Sequence, residues 1–202
     1  MARVAVVLVC LLVTGAAHAA APAAAQVAAQ VTDWGIEQLM RELAQVQSAK
    51  ARFTERKQMA ILSAPLDSSG TLIYVAPARL EKRVTAPRQE SIILDGDRLT
   101  LENKERNQRH SFALREYPVI WAFVESVRST LAGDLVTLKR FYQVNLEGNE
   151  RQWRLLLKPV EPAMLEVVSE IRIGGSRNQI DSMEFVEANG DRSTMTILRD
   201  AP

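Results

Sequence analysis

The chain has 202 residues, of which 47% are hydrophobic, 24% charged and 5% aromatic, and its formal net charge is +1. A hydrophobic content this high argues against a disordered chain. A net charge this small argues against a nucleic-acid-binding protein, which needs a positive field to attract phosphates. The single cysteine, Cys10, excludes a disulfide framework and a zinc site built from several thiolates.

The first 19 residues have the three parts of a secretory signal peptide. Arg3 supplies a positive charge, and residues 4–13 form an apolar run that is too short to span a bilayer of about 30 Å. Ala17-His18-Ala19 is a small-x-small cleavage sequence. We therefore predict that the protein is exported to the periplasm, with cleavage after residue 19 or as late as residue 25.

The segment after the leader is predicted to be a flexible tail. Residues 20–31 are rich in Ala and Gln and show no periodic pattern. Cys10 leaves with the leader, so the mature chain has no thiol, which suits an oxidising compartment. No composition change divides the remainder, and we predict one domain over residues 32–202.

The first periodic segment predicts a helix over residues 34–48. Its apolar side chains recur every three or four residues and so share one helical face: Ile36, Leu39, Met40, Leu43 and Val46. Residues 51–57 then alternate in polarity, which predicts a half-exposed strand. Residues 63–70, rich in Ser, Pro and Gly, are predicted to form a loop.

Short strand-like segments follow at regular spacing. The Asp95-Gly96-Asp97 sequence is a strong hairpin signal, and 103–107 is a second polar turn. Strands joined by tight turns indicate an antiparallel meander. The predicted strands of this part are 71–75, 80–85, 90–94, 99–102 and 108–114.

An apolar helix is predicted to interrupt the meander at 118–131, with Pro118 in its first turn and Gly133 beyond its end. It has one apolar stripe: Ile120, Phe123, Val127 and Leu131. Such a helix either plugs the core permanently or acts as a movable lid. A second helical piece is predicted over 135–141.

The strands then resume to the end of the chain. Glu161-Pro162-Ala163 is predicted to break it, and tight turns are predicted around Gly148, Gly175 and Gly190. A long antiparallel sheet of about ten strands twists and curls, and its inward aliphatic positions could line an apolar hollow that suits an acyl chain, or could simply fill the core. The predicted strands here are 143–146, 152–157, 168–173, 180–186 and 193–198.

Catalytic chemistry has little support in the sequence. His110 is the one histidine after the leader, and we interpret it as an exposed strand residue rather than a general base, because no partner is evident. We predict no catalytic residues, no metal and no cofactor. Four cations lie within ten residues and form either a solvated strand face or a docking surface for an acidic partner or lipid headgroups: Arg79, Lys82, Arg83 and Arg88.

Four motifs, in order, resemble those of the LolA family of outer-membrane lipoprotein carriers, and most of all its LolA-related branch. Residues 51–56 are similar to the family's A-x-F-x-Q/E, and residues 70–80 to its G-x-L-x-x-x-R-P-x-x-F/L. Residues 92–99 are similar to its I-x-x-D-G-x-x-L hairpin, and residues 189–194 to its last hairpin. The resemblance covers the chain from about Trp34 to Leu198.

The resemblance implies the fold class: mainly β with α, a curved antiparallel sheet of about eleven strands that forms an unclosed barrel covered by helices. It implies a carrier that shields the acyl chains of lipoproteins or other lipidated cargo and delivers them from the inner to the outer membrane. An inner-membrane ABC transporter of the LolCDE type would load it and a LolB-like acceptor would receive the cargo. We also expect a monomer with transient membrane contact. The rival hypothesis is a periplasmic lipid- or protein-sensing adaptor on the same fold.

Two departures from the family pattern concern the lid and the cargo. In the family, an arginine commonly precedes the proline that corresponds to Pro77, and its hydrogen bonds hold the lid shut. This chain has Ala76 at that position. It also has Lys82 where the family has an aromatic residue. A non-lipoprotein lipid such as a polyene lipid is therefore an alternative cargo. By position, the lid residues are Val119, Ile120, Trp121, Ala122, Phe123, Val124 and Val127. The predicted cavity wall consists of Phe53, Leu72, Tyr74, Leu80, Ile92, Leu94, Leu99, Leu101 and Phe112.

Overall fold

A computed structural model describes residues 34–198 of the chain. The predicted leader, its cleavage positions and the tail up to residue 31 lie outside the described residues. The assignment of residues 32–202 to one domain stays a prediction.

The helices lie at the start of the described residues and between strands. A short 3₁₀ turn over Leu114–Glu116 precedes the longest of them. Gly133 ends that helix with a φ of 67°, a left-handed conformation that glycine adopts without steric cost. The α-helices are α1 (Ile36–Leu43), α2 (Pro118–Ala132), α3 (Leu135–Phe141) and α4 (Pro162–Leu165).

The strands occupy the segments predicted from alternation, with longer ends. The strands are β1 (Ser48–Gln58), β2 (Leu66–Val75), β3 (Arg79–Ala86), β4 (Glu90–Asp95), β5 (Arg98–Asn103), β6 (Gln108–Ala113), β7 (Tyr142–Asn149), β8 (Gln152–Pro159), β9 (Val168–Ser176), β10 (Gln179–Glu187) and β11 (Arg192–Leu198). The β4–β5, β5–β6, β9–β10 and β10–β11 turns carry Gly, Asn or Asp residues, which favour tight turns, whereas the β2–β3 and β3–β4 turns carry Pro77 and Pro87.

All eleven strands belong to one antiparallel sheet in the order β6-β5-β4-β3-β2-β1-β11-β10-β9-β8-β7. The first and last strands along the described chain pair in the middle of the sheet, since β1 pairs with both β2 and β11. The two edge strands, β6 and β7, do not pair with each other, so the sheet is not closed. The predicted fold, an unclosed eleven-stranded antiparallel sheet with helices, is confirmed.

One face of the sheet, called here the inner face, packs against the helices. Phe53 on β1 lies on this face, and α1 adds Leu39 and Leu43 to the same buried cluster. Strands β8 and β9 contribute five fully buried side chains: Trp153, Leu155, Leu157, Ile171 and Ile173. The half of the sheet from β7 to β11 is therefore the more completely covered half.

Several local predictions were wrong in extent. The turn predicted around Gly175 lies inside β9, which continues to Ser176. Helix α1 ends at Leu43 rather than near residue 48, and β1 already begins at Ser48. The predicted loop at 63–70 contains the first half of β2, because Leu66 to Gly70 pair with β1 and satisfy their backbone groups there. The predicted break at residues 161–163 holds the single turn α4, in which Pro162 occupies the first position, where it needs no amide donor.

Candidate functional site: the inner face beneath helix α2

The nine side chains predicted to line a cavity all lie on the inner face. Phe53 is on β1, opposite Gly70 of β2. A Cβ atom at Gly70 would lie 1.8 Å from the carbonyl oxygen of Arg83 and 3.0 Å from the Phe53 ring, so only glycine fits beside this ring. The other eight lie in two neighbouring rows that cross β2 to β6.

The first row, called the covered row, consists of directly paired residues: Tyr74, Leu80, Leu94, Leu99 and Phe112. Leu94 and Leu99 are buried together with Leu114. Trp121 and Val124 of α2 pack against this cluster. Helix α2 therefore lies over the covered row.

The second row, called the open row, runs beside the first: Leu72, Lys82, Ile92, Leu101 and His110. Ile92 and Leu101 keep 41% and 37% of their surface exposed, although they point to the same side as the buried core. His110 is exposed at the end of the row on the edge strand β6. Between Lys82 and His110 the open row is thus an apolar strip of the inner face, and no described element covers it fully.

Lys82 of the open row forms an ion pair with Glu55 of β1. Lys82 Nζ donates a hydrogen bond of 2.6 Å to Glu55 Oε2, and their side chains are only 23% and 17% exposed. Ser68 Oγ donates to Oε2 over 3.2 Å and Ser193 Oγ to Oε1 over 2.8 Å. Burial tends to raise the pKa of Glu55, but the charge and hydrogen bonds of Lys82 and the two serines outweigh burial and lower it. The Lys82 ammonium also lies 5.0 Å from the centroid of the Phe53 ring, a cation–π contact.

Tyr74, in the covered row, carries an unusual polar group. Its side chain is buried, and its hydroxyl has no hydrogen-bond partner among the described residues. Burial raises the pKa of this phenol, so it is a neutral hydrogen-bond donor at ordinary pH. A buried hydroxyl without a partner is costly in a folded protein, and a bound ligand is one way to satisfy it.

The lid residues predicted by position all lie in α2, but the side of α2 that is buried is not the predicted apolar stripe. Ile120 is exposed, and Phe123, Val127 and Leu131 are only half-buried. The buried residues of the helix are Ala122, Glu125, Ser126, Ser129 and Thr130. The apolar stripe did not predict the buried side, because α2 lies between two halves of the inner face. Apolar side chains of α2 therefore pack on both sides of the helix.

Glu125 is the charged centre of the buried side of α2. It is 2% exposed and accepts hydrogen bonds from Trp121 Nε1 over 2.9 Å and from Ser129 Oγ over 3.1 Å. Arg128 forms a close ion pair with the same carboxylate. The pattern analysis did not single out Glu125, although one acid within a strongly apolar helix was a signal that could have found it.

Helix α2 is joined by hydrogen bonds to both sides of the unclosed sheet. Tyr142 of the edge strand β7 donates from its hydroxyl to the Ala122 carbonyl over 2.9 Å. Arg128 Nη1 donates to the Gly96 carbonyl, in the β4–β5 turn, over 2.9 Å. The helix therefore bridges the two halves of the inner face.

The cationic cluster predicted at 79–88 is divided between the two faces of the sheet. Lys82 points inward, whereas Arg79 and Arg83 pair with the buried Glu81 on the outer face. Ala76, the residue that replaces the family arginine, donates its amide to the Gln47 carbonyl over 2.8 Å. The contacts that hold α2 in place come from Arg128 and Tyr142 instead.

The outer face carries polar clefts. One of about 290 Å³ is lined by Glu81, Arg83, Ser91 and Glu102, among others. Another of about 690 Å³ is lined largely by threonines, serines and the Arg56–Asp67 ion pair. Apolar ligands are therefore better matched to the inner face.

Two further features concern chemistry and membranes. Within residues 34–198, no three His, Cys, Asp or Glu side chains are grouped as a metal ion would require. In the same part of the chain, no helix is both long and apolar enough to cross a membrane.

Fold and site together describe a class of protein: an unclosed antiparallel sheet with one apolar face and a helix lying across it. The chain belongs to the outer membrane lipoprotein carrier protein LolA-like family, whose model matches residues 24–201. It is 26% identical over 164 residues to an outer-membrane lipoprotein carrier protein of Cupriavidus taiwanensis, covering 79% of this chain and 74% of the relative. The family resemblance stated above is thereby confirmed.

Solved structures with similar folds include a LolA superfamily protein from Nitrosomonas europaea, at 10% identity and a TM-score of 0.43 over 83% of this chain and 94% of that one. Another is the MucA/MucB complex of Pseudomonas aeruginosa, at 13% identity and a TM-score of 0.45 over 83% of this chain and 58% of that one.

Proposed function

We propose that this protein is a non-enzymatic periplasmic carrier that holds the acyl chain of a lipoprotein or another lipidated molecule against the inner face of its sheet. Family membership supports a lipoprotein-carrier type of role. The observation that carries the proposal is the open row, where Ile92 and Leu101 stay exposed on the face that elsewhere forms the core. An acyl chain laid on this row would remove both side chains from water.

The proposed path of the cargo follows the family. After export directed by the leader, an inner-membrane ABC transporter of the LolCDE type would load the carrier, and a LolB-like acceptor at the outer membrane would receive the cargo. The carrier would act as a monomer and touch membranes only transiently. A non-lipoprotein lipid remains the alternative cargo within the same proposal.

Partial coverage of the face fits a carrier that must also release its cargo. Each methylene that leaves water contributes roughly 0.8 kcal/mol, so a long chain buried completely would dissociate very slowly. A helix that must shift before the chain can enter the covered row lowers the apparent affinity by the free energy of that shift. In this proposal α2 is that helix.

The test is to isolate the exported protein from its native periplasm and identify bound lipids or lipoproteins by mass spectrometry, with a delipidated sample as the blank. The Ile92→Glu variant places a charge on the open row at an already exposed site and should lose most of the bound lipid. Ile61→Glu is the matched control, because Ile61 is 85% exposed in the β1–β2 loop. Equal lipid content in both folded variants would show that the open row does not hold cargo.

A further inference from the structure

Lys82 is a charged residue in the middle of the inner face whose hydrogen-bonding capacity is not used up. Its ammonium has three N–H donors, of which one reaches Glu55. Glu55, in contrast, receives hydrogen bonds from Lys82, Ser68 and Ser193, so both of its oxygens are engaged. The pair therefore has spare donors and few spare acceptors.

Tyr74 supplies a second unused donor close by. Tyr74 pairs with Leu80 across β2 and β3, and Lys82 pairs with Leu72, so Tyr74 and Lys82 are diagonal neighbours on the same face. Diagonal positions of an antiparallel pair lie about 7–8 Å apart. The Lys82 ammonium is turned toward Glu55 and Phe53, away from Tyr74, so a head that contacts both donors would draw the ammonium from Glu55 toward Tyr74. The buried Tyr74 hydroxyl, which has no partner among residues 34–198, is the independent sign that this part of the face meets a polar ligand group.

We propose that this face binds an acyl chain that ends in an oxyanion, a carboxylate or a phosphate, with the head on Lys82 and Tyr74 and the chain along Ile92 and Leu101. This inference rests on the proposed function and specifies its cargo class. A charged donor and a neutral one match an anionic head, because an oxyanion accepts from both. The apolar members of the open row match the chain.

The other charges of this face determine the orientation. Glu90, which accepts a hydrogen bond from Asn103, is also a diagonal neighbour of Lys82, on the side away from Tyr74, and would repel an anionic head from that side. His110 ends the row on the edge strand and is exposed to water. The head therefore lies on the Tyr74 side of Lys82, and the chain runs along Ile92 and Leu101 toward β5 and β6.

The experiment compares ligands that differ only in the head. The fluorescent neutral probe N-phenyl-1-naphthylamine is bound to the delipidated protein and displaced with palmitate, hexadecyl phosphate or hexadecanol. We expect both anions to bind about tenfold more tightly than the alcohol, the gain of one charge-assisted hydrogen bond in a partly buried site. The ratio of the two anions then distinguishes a carboxylate head from a phosphate head.

Variants assign that preference to its donors. The double variant Lys82→Met with Glu55→Gln removes the ammonium without leaving a buried carboxylate unpaired, and it should bind all three ligands about as tightly as wild type binds hexadecanol. Tyr74→Phe removes only the hydroxyl without a partner, so it should fold normally and lose part of the preference. Lys57→Met is the matched control, because Lys57 forms its ion pair with Glu187, away from the open row, and it should keep the full preference.

The outcomes separate the two proposals. Equal displacement by palmitate, hexadecyl phosphate and hexadecanol in wild type would overturn the oxyanion site and leave the carrier proposal standing. A preference that persists in both the double variant and Tyr74→Phe would also overturn the site. Failure of the wild-type protein to bind the probe, hexadecanol or either anion would overturn the carrier proposal and the oxyanion site together.

Discussion

Arg128 and Gly96 are joined by a hydrogen bond of 2.9 Å from the arginine Nη1 to the glycine carbonyl, which connects the middle of α2 to the β4–β5 turn. The same guanidinium pairs with the buried Glu125 of its own helix. One side chain thus neutralises the only charge that α2 buries and fastens the helix to the sheet. This contact lies far in sequence from Ala76, where the family's own fastening arginine would stand.

Removing this fastening should loosen α2. The Arg128→Met variant leaves the Glu125 carboxylate buried without its cation, at a cost of about 3 kcal/mol. We expect faster amide hydrogen exchange in α2 and in the β4–β5 turn, and unchanged exchange in β8 and β9. Mass spectrometry of peptic fragments measures both regions in one experiment.

The control for this experiment is Arg177→Met, since the Arg177–Glu150 pair is long, at 4.0 Å, and exposed. Exposed pairs of this kind contribute little. If Arg128→Met left the exchange of α2 as slow as in Arg177→Met, the hydrogen bond to Gly96 would not hold the helix.

The end of α2 packs closely on α1 at Gly133, which makes this position intolerant of a side chain. A Cβ atom there would lie 2.1 Å from the Met40 carbonyl oxygen and 2.8 Å from the Ala44 Cβ. Gly133→Ala should cost about 1–2 kcal/mol for the left-handed backbone and a further ~1–3 kcal/mol for the overlap. Urea denaturation measures the sum.

Gly96→Ala separates the two contributions. Gly96 also has a positive φ, of 59°, but no atom lies within 4 Å of a Cβ built there. It should therefore show only the cost of the backbone conformation. Equal losses of stability in the two variants would mean that α1 and α2 are not packed as tightly as the structure shows.

The Glu55–Lys82 pair should make stability depend on pH at the acid end. The pKa of Glu55 in the folded protein lies below its ordinary value of 4.5. Its ionisation therefore stabilises the folded protein above about pH 4.5, and this contribution is lost as the pH falls through the lowered pKa. Below pH 4.5 the unfolding free energy of wild type should therefore fall relative to that of the Glu55→Gln, Lys82→Met double variant.

Urea denaturation between pH 3 and pH 7 measures this difference. Glu184 also has a lowered pKa: burial acts to raise it, but hydrogen bonds and ion pairs with Arg172 and Arg192 outweigh burial. Glu184 is present in both proteins, so its effect on the unfolding free energy at acid pH is the same in both and cancels in the difference. A difference that stays constant over this range would show that Glu55 titrates normally.

Local patterns in the sequence predicted much of the fold, because strands separated by tight turns are specified by nearby residues. The hairpin at Asp95-Gly96-Asp97 is such a case, and so is the start of α2 at Pro118. Alternation within single strands was also sufficient to place the nine candidate residues on one face. The first half of β2 was missed because its polar sequence resembles a loop and its partner strand, β1, decides its conformation.

The buried side of α2 could not be predicted from its own sequence. Periodicity reports which side of a helix is apolar, but α2 has apolar neighbours on two sides and buries Glu125, Ser126 and Ser129 between them. Each of these polar groups is satisfied by another residue of α2, so the cost of burying it is largely offset. The buried side of α2 is therefore evident only from its packing against the rest of the fold.

By itself the sequence determined the strand and turn pattern, the apolar helix that interrupts it and the family resemblance, since these depend on residues close together in the chain. The tertiary structure decided which residues from distant strands meet. Ser193 and Glu55 are 138 positions apart, yet they are joined through the pairing of β1 with β11, and Lys82 reaches the same carboxylate from β3. The register between strands far apart in sequence follows from the whole sheet and its burial. That register alone placed the Lys82 cation on the apolar face, together with the Tyr74 hydroxyl, which has no hydrogen-bond partner within residues 34–198.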